Sequence, residues 1–382
     1  MSSKHASLEE DSAAADSDRR PTAFVHVDLD GLWAVRRCYG LSGSPEQDDP
    51  VYSHALPALL ELFDQHSIKA TFFVVGSDAR VTWKSAQLQK ALESSHELAN
   101  HSMIHDLSST PPAGERLEEE VLSGQKALRD CLGIEARGYR APGYGFSPLL
   151  LETLERLGFW YDASLFPTPW GALMRWIGRR ISQPSTGAGS SYGSLRGWRA
   201  PLRSYRPDPS NPWRGMAEER GQRLEVRGQR PEAGEKRGAK GEERSEKSEG
   251  KPQAERENGI AHSAVRTPPS AIFEVPVSVS PRCRLPFHGG VGYLLGRRWV
   301  ERVIGSLARS VGHLTYVIHG MDLVDGRQWD AAPGRAGRWF FGGTERERME
   351  FFDGVCGRIT GQFAVSRTDS WVEQLRKGIK KH

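Results

Sequence analysis

The chain has 382 residues, with 52 basic against 48 acidic side chains, and only 37% of its residues are hydrophobic. That length suits one large domain or two ordinary ones, but the apolar share is low for a chain packed throughout, so part of it is expected to lie outside any core. A net charge of +4 argues against nucleic-acid binding. Four scattered cysteines (Cys38, Cys131, Cys283 and Cys356), with no CxxC pair, argue against a disulfide scaffold or a thiolate zinc site and fit a reducing compartment.

Residues 1–20, MSSKHASLEEDSAAADSDRR, hold no apolar stretch that could act as a signal peptide and read as a disordered polar tail. No apolar run is long enough to span a bilayer, and a cytoplasmic location is the expectation. From residue 21 onward, short β-type runs recur at Ala23–Asp28, Ala70–Gly76, His96–Asn100, Gly138–Ala141, Phe159–Asp162, Ile272–Ser278 and Leu314–His319. Several are apolar without strict alternation, as strands buried on both faces of a parallel sheet should be. Between them lie helical stripes: Leu56, Leu59, Leu60 and Phe63, then Leu117, Val121, Leu128 and Leu132. Ser147 and Pro148 read as an N-cap followed by proline in the first turn, with Gly158 closing that helix. Val300, Val303 and Leu307 mark a helix before the last strand, and Met349, Phe352 and Cys356 one after it. Such alternation of strand and helix favours a barrel or a doubly wound sheet.

The pattern breaks at about 171–270. A Gly/Ser/Pro-rich run (SQPSTGAGSSYGS) is followed by a mixed-charge tract over Met216–Asn258 with very few large apolar residues. Such a segment cannot bury enough surface to offset the entropy of ordering it, so a long disordered insertion is expected. Glu is interspersed there with Lys and Arg, which weighs against a nucleic-acid-binding tail.

Four groups of chemistry-bearing residues fall at strand ends. In Asp28-Leu29-Asp30-Gly31 the two carboxylates are i and i+2, so both can enter one site; the same pattern also occurs in ordinary turns. His101 and His105, in HSMIH, are i and i+4, and on a helical turn they would project together as a metal requires. With one aspartate they make a two-histidine, one-carboxylate set. Arg140, in YRAPG, would pair with whichever carboxylate a metal leaves free. His319, in IHGMD, can act as a general acid, although a lone histidine is more often structural.

Taken together and in this order, these groups resemble the polysaccharide deacetylase family (the NodB-homology domain, carbohydrate esterase family 4). The stretches IKATFFVVGSDARVTWKSAQLQKALESSHELANHSMIHDL and GYRAPGYGFSPLLLETLERLGFWYDASLFP carry the likeness. The resemblance implies an α/β fold, a distorted (β/α)7 barrel over residues 21–382 interrupted by the insertion, with the site at the C-terminal strand ends. It implies Asp28 as general base, Asp30, His101 and His105 as ligands of a divalent metal (zinc being the expected ion), and Arg140 as the residue holding Asp28. Asp162, in YDAS, would orient His319, the acid. Gly143 and Tyr144 would serve the oxyanion and substrate, and His288, in the loop RLPFHGG, is a further contact. Two departures stand out: many members have adjacent aspartates where this chain has Asp-Leu-Asp, and many have a tyrosine at the position of Gly143. The tryptophan often found near the fourth motif has no clear equivalent.

The implied reaction is removal of an acetyl group from an N-acetylated saccharide, with no nucleic acid involved. The basic-aromatic stretch GALMRWIGRR at 171–180 raises peripheral membrane contact or a lipid-linked substrate; a short amphipathic packing helix accounts for it too. Competing readings are a hydrolase of cyclic amides or ureides and a catalytically idle barrel used as an interaction module. A mononuclear iron oxygenase shares the ligand set, but such sites usually lie in antiparallel sandwiches.

Overall fold

The structure, a computed structural model, describes residues 20–107, 114–171, 173, 195–216, 272–326, 329–330 and 342–379. Its strands are β1 (Thr22–Leu29), β2 (Thr71–Val74), β3 (Glu97–Asn100), β4 (Gly138–Tyr139), β5 (Tyr161–Asp162), β6 (Pro207–Asp208), β7 (Asn211–Gly215), β8 (Phe273–Glu274), β9 (His313–His319) and β10 (Ala364–Val365). The helices are α1 (Leu32–Cys38), α2 (Leu56–Gln65), α3 (Gly76–Ala79), α4 (Thr82–Glu93), α5 (Gly114–Leu132), α6 (Pro148–Arg156), α7 (Gly289–Leu295), α8 (Arg297–Ser310), α9 (Glu345–Thr360) and α10 (Thr368–Ile379).

Seven strands lie parallel in the order β9-β1-β2-β3-β4-β5-β8 and curl towards closure. The gap between β8 and β9 is spanned just beyond β8, where Ser278 N donates to Thr315 O (3.1 Å) and Thr315 N to Ser278 Oγ (2.8 Å). β10 adds to the start of β1. Of the barrel and the doubly wound sheet that the alternation left open, this is the barrel, distorted as the resemblance implies.

The period of a strand divides β1 between two layers. Ala23, Val25, Val27 and Leu29 pack outward with Leu56, Leu59 and Phe63 of α2 and Val300, Ile304 and Leu307 of α8. Phe24 faces inward with Phe73, Ala99, Tyr161 and Val275, and Val372 of α10 joins this inner cluster. His26 and Asp28 share that inward face, so the same alternation that builds the core delivers polar groups to the barrel lumen. Helix α6 starts as the sequence implies: Ser147 Oγ accepts from Leu150 N (3.1 Å), Pro148 follows, and Gly158 (φ +80°) lies just past its end.

The insertion at 171–270 is not wholly without structure. Residues 195–216 form a 3-10 turn (Leu195–Arg199) and the β6–β7 hairpin, which is anchored where Tyr205 and Glu274 exchange backbone hydrogen bonds of 3.0 and 2.8 Å. The reason is compositional: Tyr205 and Trp213 pack with Leu165 and Ile272, surface that the Gly/Ser and mixed-charge flanks lack. The tail at 1–19, most of 171–180 and residues 217–258 of the charged tract lie outside the described residues.

Beneath the loop leaving β1 is a buried charge cluster with no sequence signature. Lys84 of α4 donates to Asp49 Oδ2 and Asp78 Oδ1 at 2.6 Å each, with its ammonium 4.7 Å from the centre of the Tyr52 ring. Asp49 also accepts from Leu32 N and Val51 N, and Asp78 from Trp33 Nε1 (2.8 Å). A Cβ on Gly31 would stand 2.7 Å from Asp49 and 2.8 Å from Asp78, so a glycine after Asp30 lets the loop lie against the cluster. Burial raises the Asp78 carboxyl to about 6, against the pull of Lys84. Replacing Lys84 with methionine leaves two carboxylates buried without their counter-ion. The expected cost is about 3–5 kcal/mol in denaturant unfolding; a loss below about 1 kcal/mol would mean that the carboxylates manage without the cation.

Candidate metal and catalytic site

The C-terminal ends of β1, β3, β4 and β9 surround a cavity of about 220 Å³ whose wall includes Asp28, Asp30, His101, His105, Tyr144 and His319. Of the strand-end groups singled out in the sequence, Arg140 joins this wall through its bond to Asp28, and Asp162 does not reach it.

One half of the site is a candidate cation centre. Asp30 Oδ1 lies 3.2 Å from both His101 Nε2 and His105 Nε2. One ligand atom from each of the three residues lies within 4.8 Å of the others. His101 Nδ1 is 2.7 Å from the carbonyl oxygen of Arg140, which can only accept, so Nδ1 carries the proton and Nε2 presents a lone pair. In the neutral ring that lone pair faces a carboxylate oxygen, an arrangement that a shared cation suits, whereas a protonated ring donates Nε2–H to Asp30 instead. Asp30 Oδ1, moreover, is buried and makes no properly aligned hydrogen bond. The donor set thus fits a divalent ion, zinc among them. Burial disfavours the Asp30 anion, but His105, His101 and His319 outweigh it and hold the carboxyl well below its ordinary range. Burial likewise lowers His101, yet Asp30, Asp28 and the Arg140 carbonyl raise it overall; for His105 burial wins and the shift is downward.

The helical turn expected for HSMIH is not there. Ser102 (φ +65°) and His105 (φ +49°) have left-handed backbone, so the imidazoles meet across a kinked loop. Its shape is imposed from outside: Gly76 N and Ser77 N of α3 donate to Ser102 O and Met103 O (2.9 Å each), Met103 N and Ile104 N donate to Glu120 Oε2 on α5, and Ser102 N donates to Asn100 Oδ1. Strain of this kind is retained when the surroundings over-determine it.

The other half handles protons. Arg140, fully buried, donates through Nη1 to Asp28 Oδ1 (2.5 Å) and through Nε to Ala163 O (2.9 Å), while its guanidinium carbon lies 4.1 Å from the Phe73 ring centre. The second carboxylate oxygen, Asp28 Oδ2, is 3.7 Å from His319 Nε2. His319 keeps 27% of its side-chain surface exposed, whereas Asp28 keeps 3% and Asp30 13%. Burial would lower His319, but Asp322, Asp28 and Asp30 raise it to about 9.

Asp162 does not orient His319. Its carboxylate accepts from Ser164 Oγ (2.5 Å) and interacts with Glu274, both carboxyls being driven upward first by burial, Asp162 to about 6. The carboxylate beside His319 is Asp322, missed in the sequence, whose Oδ2 accepts from His319 N (2.9 Å) and stands 3.7 Å from His319 Nδ1. The three-residue spacing in HGMD was the available signal, since an acidic residue at that position can cap the turn back onto its first N–H. Gly143 (φ +62°) and Tyr144 (φ +61°) form a tight turn at the cavity edge. Tyr144 N donates to Ala141 O (3.1 Å) and its hydroxyl is 3.3 Å from His319 Nε2, which leaves the Gly143 N–H as the oxyanion donor to consider. His288 also lines the cavity, its ring centre 5.7 Å from that of His319, and burial lowers it to about 4.

The polysaccharide deacetylase family model matches residues 47–161. Among curated proteins, the chain is 38% identical over 121 residues to the chitooligosaccharide deacetylase of Bradyrhizobium sp. (strain ANU 289), covering 30% of this chain and 53% of that protein. It is 29% identical over 142 residues to the peptidoglycan deacetylase of Helicobacter pylori, covering 36% and 47%. The chain thus spans about half the length of the curated relatives it matches. A solved structure of a candidate polysaccharide deacetylase from Mycobacterium smegmatis superimposes with a TM-score of 0.47 at 16% identity, covering 94% of this chain and 91% of the other. The matched segment contains His101, His105 and Arg140, so the likeness to the polysaccharide deacetylase family takes in three of the residues of this site.

Proposed function

We propose that this chain hydrolyses the N-acetyl group of an amino sugar, with Asp28 as base and His319 as acid. The observation that carries the reading is the division of one cavity into a cation centre (Asp30, His101, His105) and, beside it, a carboxylate–imidazole pair (Asp28, His319). The relatives named for chitooligosaccharide and peptidoglycan deacetylation support the saccharide class.

A divalent ion held by Asp30, His101 and His105 would supply Lewis-acid polarisation of the acetamide and a lowered pKa for water. The protein's own groups do the rest. Asp28, anchored through Oδ1 by Arg140, has Oδ2 free to accept the proton of the attacking water. The Gly143 N–H, at the cavity edge, would be the donor for the tetrahedral oxyanion. His319, held protonated beside Asp322 and Asp28, gives its proton to the departing amine, without which C–N cleavage would stall.

Acetate release from N-acetylhexosamines, free and lipid-linked, with and without chelator, tests the activity directly. Chelation is expected to abolish release and added zinc to restore it; release that survives complete metal removal would overturn the reading. His101→Ala and His105→Ala should each lose both the ion and turnover. Asp28→Asn and His319→Ala should instead keep the ion, measured by elemental analysis, and lose about 10²–10⁴-fold in rate.

The pH dependence has a definite sign. An imidazole raised to about 9 is protonated below that pH and deprotonated above it, so kcat/KM should fall on the alkaline side as the acid is lost. Asp322→Asn removes a charge that raises His319, and should move the alkaline fall towards neutral pH. An unmoved limb would show that Asp322 does not tune the acid.

A further inference from the structure

Behind Arg140 the structure contains a hydrogen-bonded chain that none of the roles above uses. Arg140 Nη2 is 2.6 Å from His26 Nδ1, and His26 Nε2 is 2.8 Å from Thr368 Oγ1. Thr368 Oγ1 is 3.1 Å from Thr71 Oγ1, which is 2.7 Å from Glu97 Oε2. His26, Thr71, Glu97, Arg140 and Thr368 are all buried. The chain runs from the proposed catalytic carboxylate through the barrel lumen to the first residue of α10, the helix whose Val372 joins the lumen's inner cluster.

The direction of every bond follows from one fact: a guanidinium can only donate. His26 Nδ1 must therefore accept from Arg140, which forces the ring proton onto Nε2. That proton goes to Thr368 Oγ1, the Thr368 hydroxyl then donates to Thr71, and Thr71 donates to Glu97. Glu97 closes the chain as an acceptor, also receiving Tyr161 OH (2.7 Å) and Asp369 N (3.1 Å). Burial and the neighbouring Arg140 both disfavour an imidazolium at His26, which agrees with a neutral ring. Phe73 lies edge-on to the His26 ring at 5.1 Å and under the Arg140 guanidinium at 4.1 Å, fixing both in one plane of contact.

We propose that His26 is a positioning residue for the Arg140–Asp28 pair, its Nε2–H tautomer set by Arg140 and its ring anchored through that N–H by the hydroxyl relay Thr368–Thr71–Glu97. The C-terminal helix is thereby part of the active-site support although no residue of it reaches the cavity. Without the Thr368 acceptor, His26 keeps its tautomer but loses the bond that anchors Nε2–H, and nothing in the relay then holds the ring square to Arg140. Arg140 would then be free to shift, and Asp28 Oδ1 with it. This inference rests on the deacetylase reading for its kinetic consequence, but not for its structural one.

The test uses full-length, metal-loaded protein with 15N-labelled histidine. In the wild type, His26 should give the NMR signature of a neutral ring protonated at Nε2; an Nδ1–H tautomer or an imidazolium would overturn the proposal, whatever the enzyme's activity. Thr368→Val, nearly isosteric, should keep the tautomer but remove the downfield, hydrogen-bonded Nε2–H part of that signature, leave metal content and KM unchanged, and lower kcat about 10-fold, the scale expected when a residue that orients a site residue loses its own partner. Thr368→Ser, which restores the hydroxyl, should recover both the signature and the rate. Wild-type kcat in Thr368→Val, or a loss that serine does not recover, would refute the positioning role. If no acetylated sugar is turned over, the NMR arms still decide the relay, so the two readings fail separately.

Discussion

A full positive charge buried in the middle of a barrel is the constraint around which this site is built. The Arg140 guanidinium has no exposure, and an ion of that size taken out of water costs several kcal/mol unless its donors are matched. They are matched by the Asp28 carboxylate, the Ala163 carbonyl, the His26 ring and the face of Phe73. The same residue's carbonyl receives His101 Nδ1–H. The side chain of Arg140 therefore fixes the proposed base while its backbone fixes the tautomer of a proposed metal ligand. A displacement of β4 would disturb both halves at once.

The two aspartates of the first motif differ because of where the strand leaves them. Both are on the inward face, but Asp28 ends within the lumen beside Arg140, and Asp30 lies one step beyond the strand, at the mouth, between two imidazoles. A carboxylate already neutralised by a bidentate-capable cation is a poor ligand for a second one. The one with only imidazole neighbours is the better candidate. The residue between them, Leu29, is spent on the outer core and so sets the spacing.

What was legible in the sequence was whatever depends on local pattern. The seven strands came from apolar runs, the α6 boundaries from Ser147, Pro148 and Gly158, and the convergence of Asp28, Asp30, His101, His105, Arg140 and His319 from their common position at strand ends. What was not legible depends on contacts distant in sequence. His26 was passed over although it is two residues before Asp28 on the same face, because its partners Arg140 and Thr368 lie 114 and 342 positions away. The HSMIH turn was misread as helical since i, i+4 spacing is also satisfied by a loop that α3 and α5 pin into left-handed geometry. The folded part of the insertion was hidden in a Gly/Ser/Pro-rich context that two aromatic residues (Tyr205 and Trp213), packed with Leu165 and Ile272, suffice to overrule.

The fate of Asp162 shows how a barrel separates carboxylates that do chemistry from those that only hold shape. Asp162 and Glu274 face each other with the charge of Arg140 nearby, yet burial drives both upward. The pair engages the charge it keeps with Ser164 rather than with His319. It has a different use: Ser164 Oγ donates to Asp162 and accepts from Ala141 N, which fixes the turn bearing Gly143 and Tyr144. Asp322, by contrast, is capped by the backbone of His319 and lowered by that histidine despite its burial, so it remains an anion where the acid needs one. The environment of each carboxyl, rather than its distance along the chain from a motif, decides which kind it becomes.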